Sequence, residues 1–515
     1  MSRISPDLAG QPVIIGAGIA GLMVALHMAP EPVVVLAKAP LGDGVASGWS
    51  QGGIAAAIAP DDTPALHQAD TLAAGDGLCD EEAVARIVEA APSAIEDLIR
   101  RGVRFDRRAD GTLLVGLEAA HSRHRILHAG GDTTGAEIMR ALVDRVRETS
   151  SITVLDGLEA RRLMLEDGAI SGVLATGDGA SVVLPTRRVV IATGGLGGLY
   201  RHTSNPLGAL GQGIALAARA GAVLADMEFV QFHPTALDVG LDPMPLISEA
   251  VRGEGAILID ETGTRFMEGL GRAELEPRDV VARAVWRHLG QGHRVYLDAR
   301  AALGAGFAAR FPGIHAKCLA AGIDPSIQPI PIHPAAHYHM GGISVDATGA
   351  SSIEGLWVCG EAAATGLHGA NRLGSNSLIE AAVSAVQVAQ AVAGAVTLAP
   401  AKARPVILPP GTYPMPVRGI LSRHVGVLRD EAGLKEAIRQ LRPLAAQNDA
   451  AMVGLLIAVP AYLRTESRGG HCRVDHPKRA DEWARRLRLT LAEVESIADR
   501  ILGAEAAARN VRASL

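Results

Sequence analysis

Three histidines crowd the stretch His333-Pro-Ala-Ala-His337-Tyr-His339-Met-Gly341-Gly342, a density that could hold a metal ion or grip an anion. A metal set on one helix face needs an unbroken helix, and Pro334 and the Gly341-Gly342 pair interrupt one. No carboxylate or thiolate stands close by in sequence to complete a zinc set, and the cysteines, Cys79, Cys318, Cys359 and Cys472, are scattered without a CxxC pair. No metal is therefore expected. Anion binding suits the same residues, because imidazole donates to carboxylates in either protonation state.

A second cluster lies near the start. Gly16-Ala17-Gly18-Ile19-Ala20-Gly21 follows the apolar run Val13-Ile-Ile15 and precedes an amphipathic pattern that leads to a further apolar run, Val33-Val-Val-Leu36. Strand, glycine turn, helix and strand in that order form a dinucleotide-binding unit. Gly16 permits the turn, Gly18 lets a pyrophosphate approach the backbone, and Gly21 lets helix pack on strand. The acidic residue usual after the second strand is replaced by Lys38, which can reach a phosphate but cannot accept from a ribose hydroxyl.

These groups need elements to hold them. Arg187-Arg-Val-Val-Ile-Ala-Thr-Gly-Gly195 and Gly355-Leu-Trp-Val-Cys-Gly-Glu361 both read as buried strands ending in glycines, which suggests one nucleotide-binding domain assembled from distant segments. A helix is expected from about Ser377. A proline-rich linker is expected from about Ala399 to Pro416, and helical spacing returns at Leu434 to Leu441 and Asp481 to Ile501.

The chain has 515 residues, more than one core usually serves. A formal net charge of −6 without a basic run argues against nucleic acid. The polar start and the lack of a long uninterrupted apolar run argue against a secretory signal or membrane span, so a cytoplasmic location is expected.

Several further motifs occur in one order: Ser47-Gly-Trp-Ser50-Gln51-Gly52-Gly53, Gln231-Phe-His233-Pro-Thr235, Gly360-Glu361 and Asn371-Arg372-Leu-Gly-Ser-Asn-Ser377-Leu378. From about residue 11 to the C-terminus the chain resembles the succinate dehydrogenase and fumarate reductase flavoprotein family. Glu118-Ala-Ala-His-Ser-Arg-His-Arg-Ile-Leu-His128 and Gly366-Leu-His-Gly-Ala-Asn-Arg372 are similar to its L-aspartate-oxidising branch.

The resemblance implies an α/β fold: a Rossmann-like FAD-binding domain (1–232 and 341–400), an inserted α+β capping domain (233–340) and a C-terminal helical domain (416–515). It implies oxidation of L-aspartate to iminoaspartate, the first step of NAD synthesis, by FAD that O2 reoxidises to give H2O2, or fumarate to give succinate. Handover of the product to quinolinate synthase is a further implied possibility. His233, Ser248, His337 and Arg372 are implied to surround a dicarboxylate, leaving His333 and His339 to structure. Ser248 stands where this branch usually has threonine.

Arg278 matches the arginine that protonates fumarate in relatives; its alternative is a surface arginine capping Asp279. Glu118 is implied to face the α-ammonium that L-aspartate carries and succinate lacks, with Arg123 and Arg125 orienting its loop. The cofactor contacts implied are the Gly16 to Gly21 turn, Lys38, the Ser47 to Gly53 loop, Glu361, Ser377, Leu378 and Gln212, the last replacing the family's aspartate. No histidine lies in Ser47 to Ser50, so FAD is expected to be non-covalent. The rival within the family is a soluble fumarate reductase or succinate dehydrogenase flavoprotein.

Overall fold

The computed structural model describes residues 3–4, 8–177, 180–396 and 413–513. Most of the expected linker lies outside the described residues. The central sheet is parallel and draws on both ends of the chain: Leu356–Val358, Val189–Ile191, Val13–Ile15, Val33–Leu36 and Ile152–Leu155, in that spatial order. The first four are among its most apolar stretches, as a sheet covered on both faces requires. The helix Ile19–Met28 follows the glycine turn and packs against the helix Asn376–Gly394. That second helix is long and apolar enough to cross a membrane, yet it is a core helix with Leu378, Ile379, Val383, Val388 and Val392 buried.

A second sheet is antiparallel, ordered Val230–Leu237, Ile330–His339, Val295–Asp298 and Ile257–Asp260, and its apolar side chains form a separate core with the helix Arg278–Gly290. Two irregularities interrupt its first ladder. Gln231 pairs with Tyr338 but Phe232 pairs with Ala336, so His337 is an extra residue in a bulge; the second lies between His233 and Ala236. Pro234 has no amide to donate there, and bulges of this kind re-aim side chains.

The helices Met415–His424, Glu431–Ala445, Asp449–Leu463 and Leu491–Ala513 follow. The fold is thus α/β, with a Rossmann-like sheet, a mixed capping region and a helical C-terminal part. One expected helix is shorter than its spacing suggested. Residues 481–490 instead hold a short 3-10 turn and the strand Arg488–Leu489, which pairs with Leu224–Ala225. The helix begins at Leu491 because Thr490 and Glu493 form a reciprocal cap, with Thr490 N donating to Glu493 Oε2 (2.7 Å) and Glu493 N to Thr490 Oγ1 (3.4 Å).

Candidate active site

A single cavity of about 690 Å³ runs from the glycine turn past Glu361 to the face of the capping sheet. The residues assigned to cofactor, substrate or catalysis in the sequence line it, except Gly21 and Gly48. Gly21 sits behind the wall, where a Cβ would stand 1.9 Å from Gly16 O. Gly16 has φ +114° and a Cβ there would stand 2.3 Å from Ala192 O, so neither position can carry a side chain. Gly18 differs: its nearest neighbour would be Ser47 Oγ at 3.2 Å, and the space beyond is the cavity. Gly18→Val should therefore leave the apo protein's unfolding midpoint within about 2 °C while FAD is lost on desalting. Retention of flavin by that variant would place the pyrophosphate elsewhere.

The dinucleotide end has polar atoms awaiting partners. Gln51 is buried, and both its Oε1 and its Nε2 lack hydrogen bonds, as does Thr193 Oγ1. An amide offering one donor and one acceptor fits the alternating carbonyl and N–H edge of a flavin. Burial raises the Glu361 carboxyl to about 7, and it accepts from His339 N at 3.0 Å. Lys38 lines the cavity but pairs with Glu159 (3.1 Å). Gln212 turns its amide back on its own loop, donating to Gly208 O and accepting from Leu210 N. The helix Asn376–Gly394 presents its first turn, with Ser377 and Leu378, to the cavity, so its free amides and positive dipole end face whatever binds there.

At the other end, the bulge brings His337 and His233 together with ring centroids 5.2 Å apart. Burial, and then the cations around them, hold both imidazoles well below their usual pKa. They are neutral at pH 7. Thr235 N donates to His233 Nδ1 (3.3 Å), which leaves Nε2 as the protonated nitrogen. Arg372 Nη2 contacts His337 Nε2 at 3.2 Å and Ser204 Oγ contacts Nδ1 at 2.9 Å. An arginine only donates, so His337 Nε2 accepts in this state.

Arg372 is 4% exposed, and its Nε has no partner. Among the described residues it has no carboxylate within ion-pair distance. Burial lowers it to about 10, with Arg278 the next cause. A buried cation without a counter-ion is costly unless an anion joins it. Ser248 caps the short helix Glu249–Gly253 by accepting from Ala250 N at 3.3 Å, and its own hydroxyl proton stays free to donate.

Arg278 opens the helix Arg278–Gly290 and donates to Glu249 Oε2 (2.7 Å) and to Gln231 Oε1 (3.1 Å). It is buried, and Asp279 instead pairs with Arg283, so Arg278 is not a surface cap. Glu249 also accepts from Arg252 Nη2 at 2.8 Å. Burial alone would raise the Glu249 carboxyl, but Arg278 and Arg252 outweigh it and hold it below the usual range. Glu249 and Arg252 were missed in the sequence, where their i, i+3 spacing looks like an ordinary exposed helix pair.

Glu118 is 3% exposed and accepts from Ser375 Oγ at 2.8 Å. A Cβ on Gly374 would stand 2.9 Å from Glu118 Oε2, 3.2 Å from Glu249 Oε2 and 3.3 Å from Arg278 Nη2, so glycine lets these charges converge. Arg125 fixes the loop through Asp62 and Asp70, and His121 Nε2 ties it to Gly374 O at 3.0 Å. Arg123, largely exposed, bonds among the described residues only the backbone oxygens of Asp61 and Ser122.

The three clustered histidines have three different settings. His333 Nδ1 meets Pro334 O, and its ring packs on His202; His339 Nε2 meets Met227 O; His337 alone lines the cavity. Among the described residues, Asp260, His288 and His293 bring possible ligand atoms within 4.8 Å of one another. The two imidazoles stack at 4.3 Å and 13°, so their in-plane lone pairs run parallel rather than converge.

Two family matches cover much of the chain: an FAD binding domain over residues 11–378 and the fumarate reductase flavoprotein C-terminal region over 446–501. The chain is 56% identical over 488 residues to an L-aspartate oxidase of Mesorhizobium japonicum, covering 94% of this chain and 95% of the relative. It is 52% identical to an L-aspartate oxidase of Xylella fastidiosa, covering 97% and 98%. Among solved structures, E. coli quinol fumarate reductase FrdA superposes with a TM-score of 0.85 at 28% identity, over 93% of each chain.

Proposed function

Since the chain belongs to the L-aspartate oxidase family of FAD-dependent flavoproteins, we propose that its cavity binds L-aspartate with the carboxylates toward Arg372, His337, His233 and Ser248 and the α-ammonium toward Glu118. The observation that carries this reading is the pairing of an unneutralised Arg372 with a buried Glu118 in one cavity. A dicarboxylate alone would be repelled by Glu118, whereas an amino dicarboxylate matches both signs.

FAD held along the Gly16 to Gly21 turn, by Gln51 and by the first turn of the helix from Asn376 would supply the two-electron acceptor for the Cα hydride, with O2 or fumarate as the final acceptor and H2O2 or succinate as the product. The residues do the rest. Arg372 fixes one carboxylate with a planar fork, and Ser248 and His233 Nε2 are donors for the other. Glu118 holds the ammonium and is the carboxylate placed to take its proton; the freed nitrogen lone pair then forms the C=N bond of iminoaspartate as the Cα–H bond breaks. With fumarate as acceptor, hydride adds to one vinyl carbon and Arg278 protonates the other. Arginine is too weak an acid to act alone, and the Arg252–Glu249–Arg278 chain supplies a relay for that proton.

The expected domain division places the junction of FAD-binding and capping parts along this cavity. The same reading puts the enzyme in the cytoplasm and passes its product to quinolinate synthase. A C=N bond that water hydrolyses supports a short path to the next enzyme.

Anaerobic mixing of the flavin-loaded protein with L-aspartate, and separately with succinate, tests the reading. Bleaching of oxidised flavin by L-aspartate alone, reversed by air with H2O2 appearing, is expected. Bleaching by succinate alone would move the protein to the dehydrogenase side.

A pH dependence follows from the neutral imidazoles. A bound dianion favours imidazolium at His233 and His337, so binding takes up protons and the affinity rises as pH falls. The succinate Kd, read from perturbation of the flavin spectrum, should fall between pH 8 and pH 6 by up to about tenfold per unit for each proton taken up. A Kd independent of pH would exclude protonation of either histidine in the complex.

A further inference from the structure

Arg372 is a buried cation whose nearest company is chosen with care. Its guanidinium carbon lies 4.7 Å from the centre of the Tyr338 ring, and Nη1 donates to Ser377 Oγ at 3.1 Å. Three residues on from Ser377, on the same face of the same helix, stands Glu380, a fully buried carboxylate. One helical turn from the serine that Arg372 bonds, Glu380 is a candidate ion-pair partner for a flexible arginine. No such pair forms, and Glu380 is engaged elsewhere: Tyr338 OH donates to Oε2 at 2.8 Å, His368 Nε2 meets the same oxygen at 2.9 Å, and Thr365 Oγ1 donates to Oε1 at 2.6 Å.

We propose that Tyr338 is a positioning residue that reserves the Arg372 charge for substrate: its ring face holds the guanidinium while its hydroxyl holds Glu380. An Arg372–Glu380 ion pair would neutralise the cation and oblige an incoming carboxylate to displace an internal one. The ring supplies a partner that attracts the cation without cancelling its charge. Tyr338 is also next to the bulged His337, so one short segment sets both carboxylate-facing groups. Burial would raise the Glu380 carboxyl, but His368, Thr365 and Tyr338 together hold it below the usual range. It therefore remains a strong competitor that must be kept engaged. The inference rests on the proposed role of Arg372 in binding a substrate carboxylate.

The test uses flavin-loaded full-length protein, with succinate as the probe of the oxidised state and steady-state turnover of L-aspartate alongside. Tyr338→Phe keeps the ring but removes one of the three groups on Glu380 and should raise the succinate Kd by about threefold, whereas Tyr338→Leu should raise the succinate Kd and the L-aspartate KM by about tenfold, with kcat changed less. Adding Glu380→Gln to Tyr338→Leu should restore the Kd to within about threefold. A merely structural role for Tyr338 predicts no such rescue, because a second buried substitution would add damage. Unchanged binding in Tyr338→Leu, or failure of Glu380→Gln to restore it, overturns the proposal.

Should Tyr338→Leu not retain flavin, the comparison moves to phenylalanine against 3,4,5-trifluorophenylalanine at position 338, near-isosteric rings with opposite attraction for a cation. A Kd that rises on fluorination supports the proposal, and equal values overturn it. Arg372→Leu separates the two levels. If that variant binds succinate as tightly as the parent, the carboxylate-binding reading itself fails; if it binds weakly while the Tyr338 variants bind normally, only the role of Tyr338 fails.

Discussion

Replacing Arg372 with leucine is expected to lower kcat/KM for L-aspartate and for fumarate alike, by roughly 10²- to 10⁴-fold, the range that ~3–5 kcal/mol represents. The size follows from burial. Arg372 is 4% exposed and has no carboxylate partner among the described residues, so a substrate carboxylate meets a desolvated cation with its full charge available. Leucine removes that cation and leaves a carboxylate to be buried against His337 and Ser377. The loss is shared because both substrates carry the carboxylate it serves. Parallel steady-state assays with L-aspartate oxidation and fumarate reduction, normalised to flavin content, check this. Retention of fumarate reduction would show that the dicarboxylate is held elsewhere in the cavity.

Glu118→Gln should separate the two reactions. Turnover of L-aspartate is expected to fall by about 100-fold in kcat/KM, since a charge-assisted hydrogen bond to an ammonium is replaced by a neutral one in a buried site. Fumarate reduction should stay within about threefold, because fumarate offers Glu118 no cation and removal of a negative charge eases entry of a dianion. Ser375 Oγ can still donate to the glutamine Oε1, so the loop anchor survives. Equal losses in the two assays would remove the ammonium-binding role.

The reach of the sequence can be measured on individual residues. The Gly16 to Gly21 turn was legible because its glycines have separate steric reasons, and the structure displays each of them. Four of the five strands of the parallel sheet were legible as apolar runs, three of them leading into glycine, whereas Ile152–Leu155 was not singled out. His337 could be singled out only by resemblance. The bulge that turns it into the cavity depends on how Val230–Leu237 pairs with Ile330–His339, which no local pattern encodes. Glu249 and Arg252 escaped notice because burial gives them their importance, and burial is a tertiary property. Tyr338 drew no assignment, because what its ring and hydroxyl touch is set by tertiary packing. The false start of the last helix at 481 arose because helical spacing in that segment competes with an edge pairing to Leu224–Ala225, and the distant partner wins.

The order of the central sheet also bears on how the protein is made. Val13–Ile15 is flanked by Val33–Leu36 and by Val189–Ile191, and Leu356–Val358 completes the edge. Val13–Ile15 meets Val33–Leu36 early, but the other partners of these two strands, Ile152–Leu155 and Val189–Ile191, emerge more than a hundred residues later, and contacts so remote in sequence form slowly. The wall that receives the flavin is finished only when Ser377 and Leu378 have left the ribosome, roughly 20–75 s after initiation at ordinary elongation rates. Until then the sheet lacks the helix Asn376–Gly394 and the cofactor that would bridge its segments. Yield of folded enzyme should accordingly depend on chaperone capacity and on flavin supply at the end of translation rather than during it.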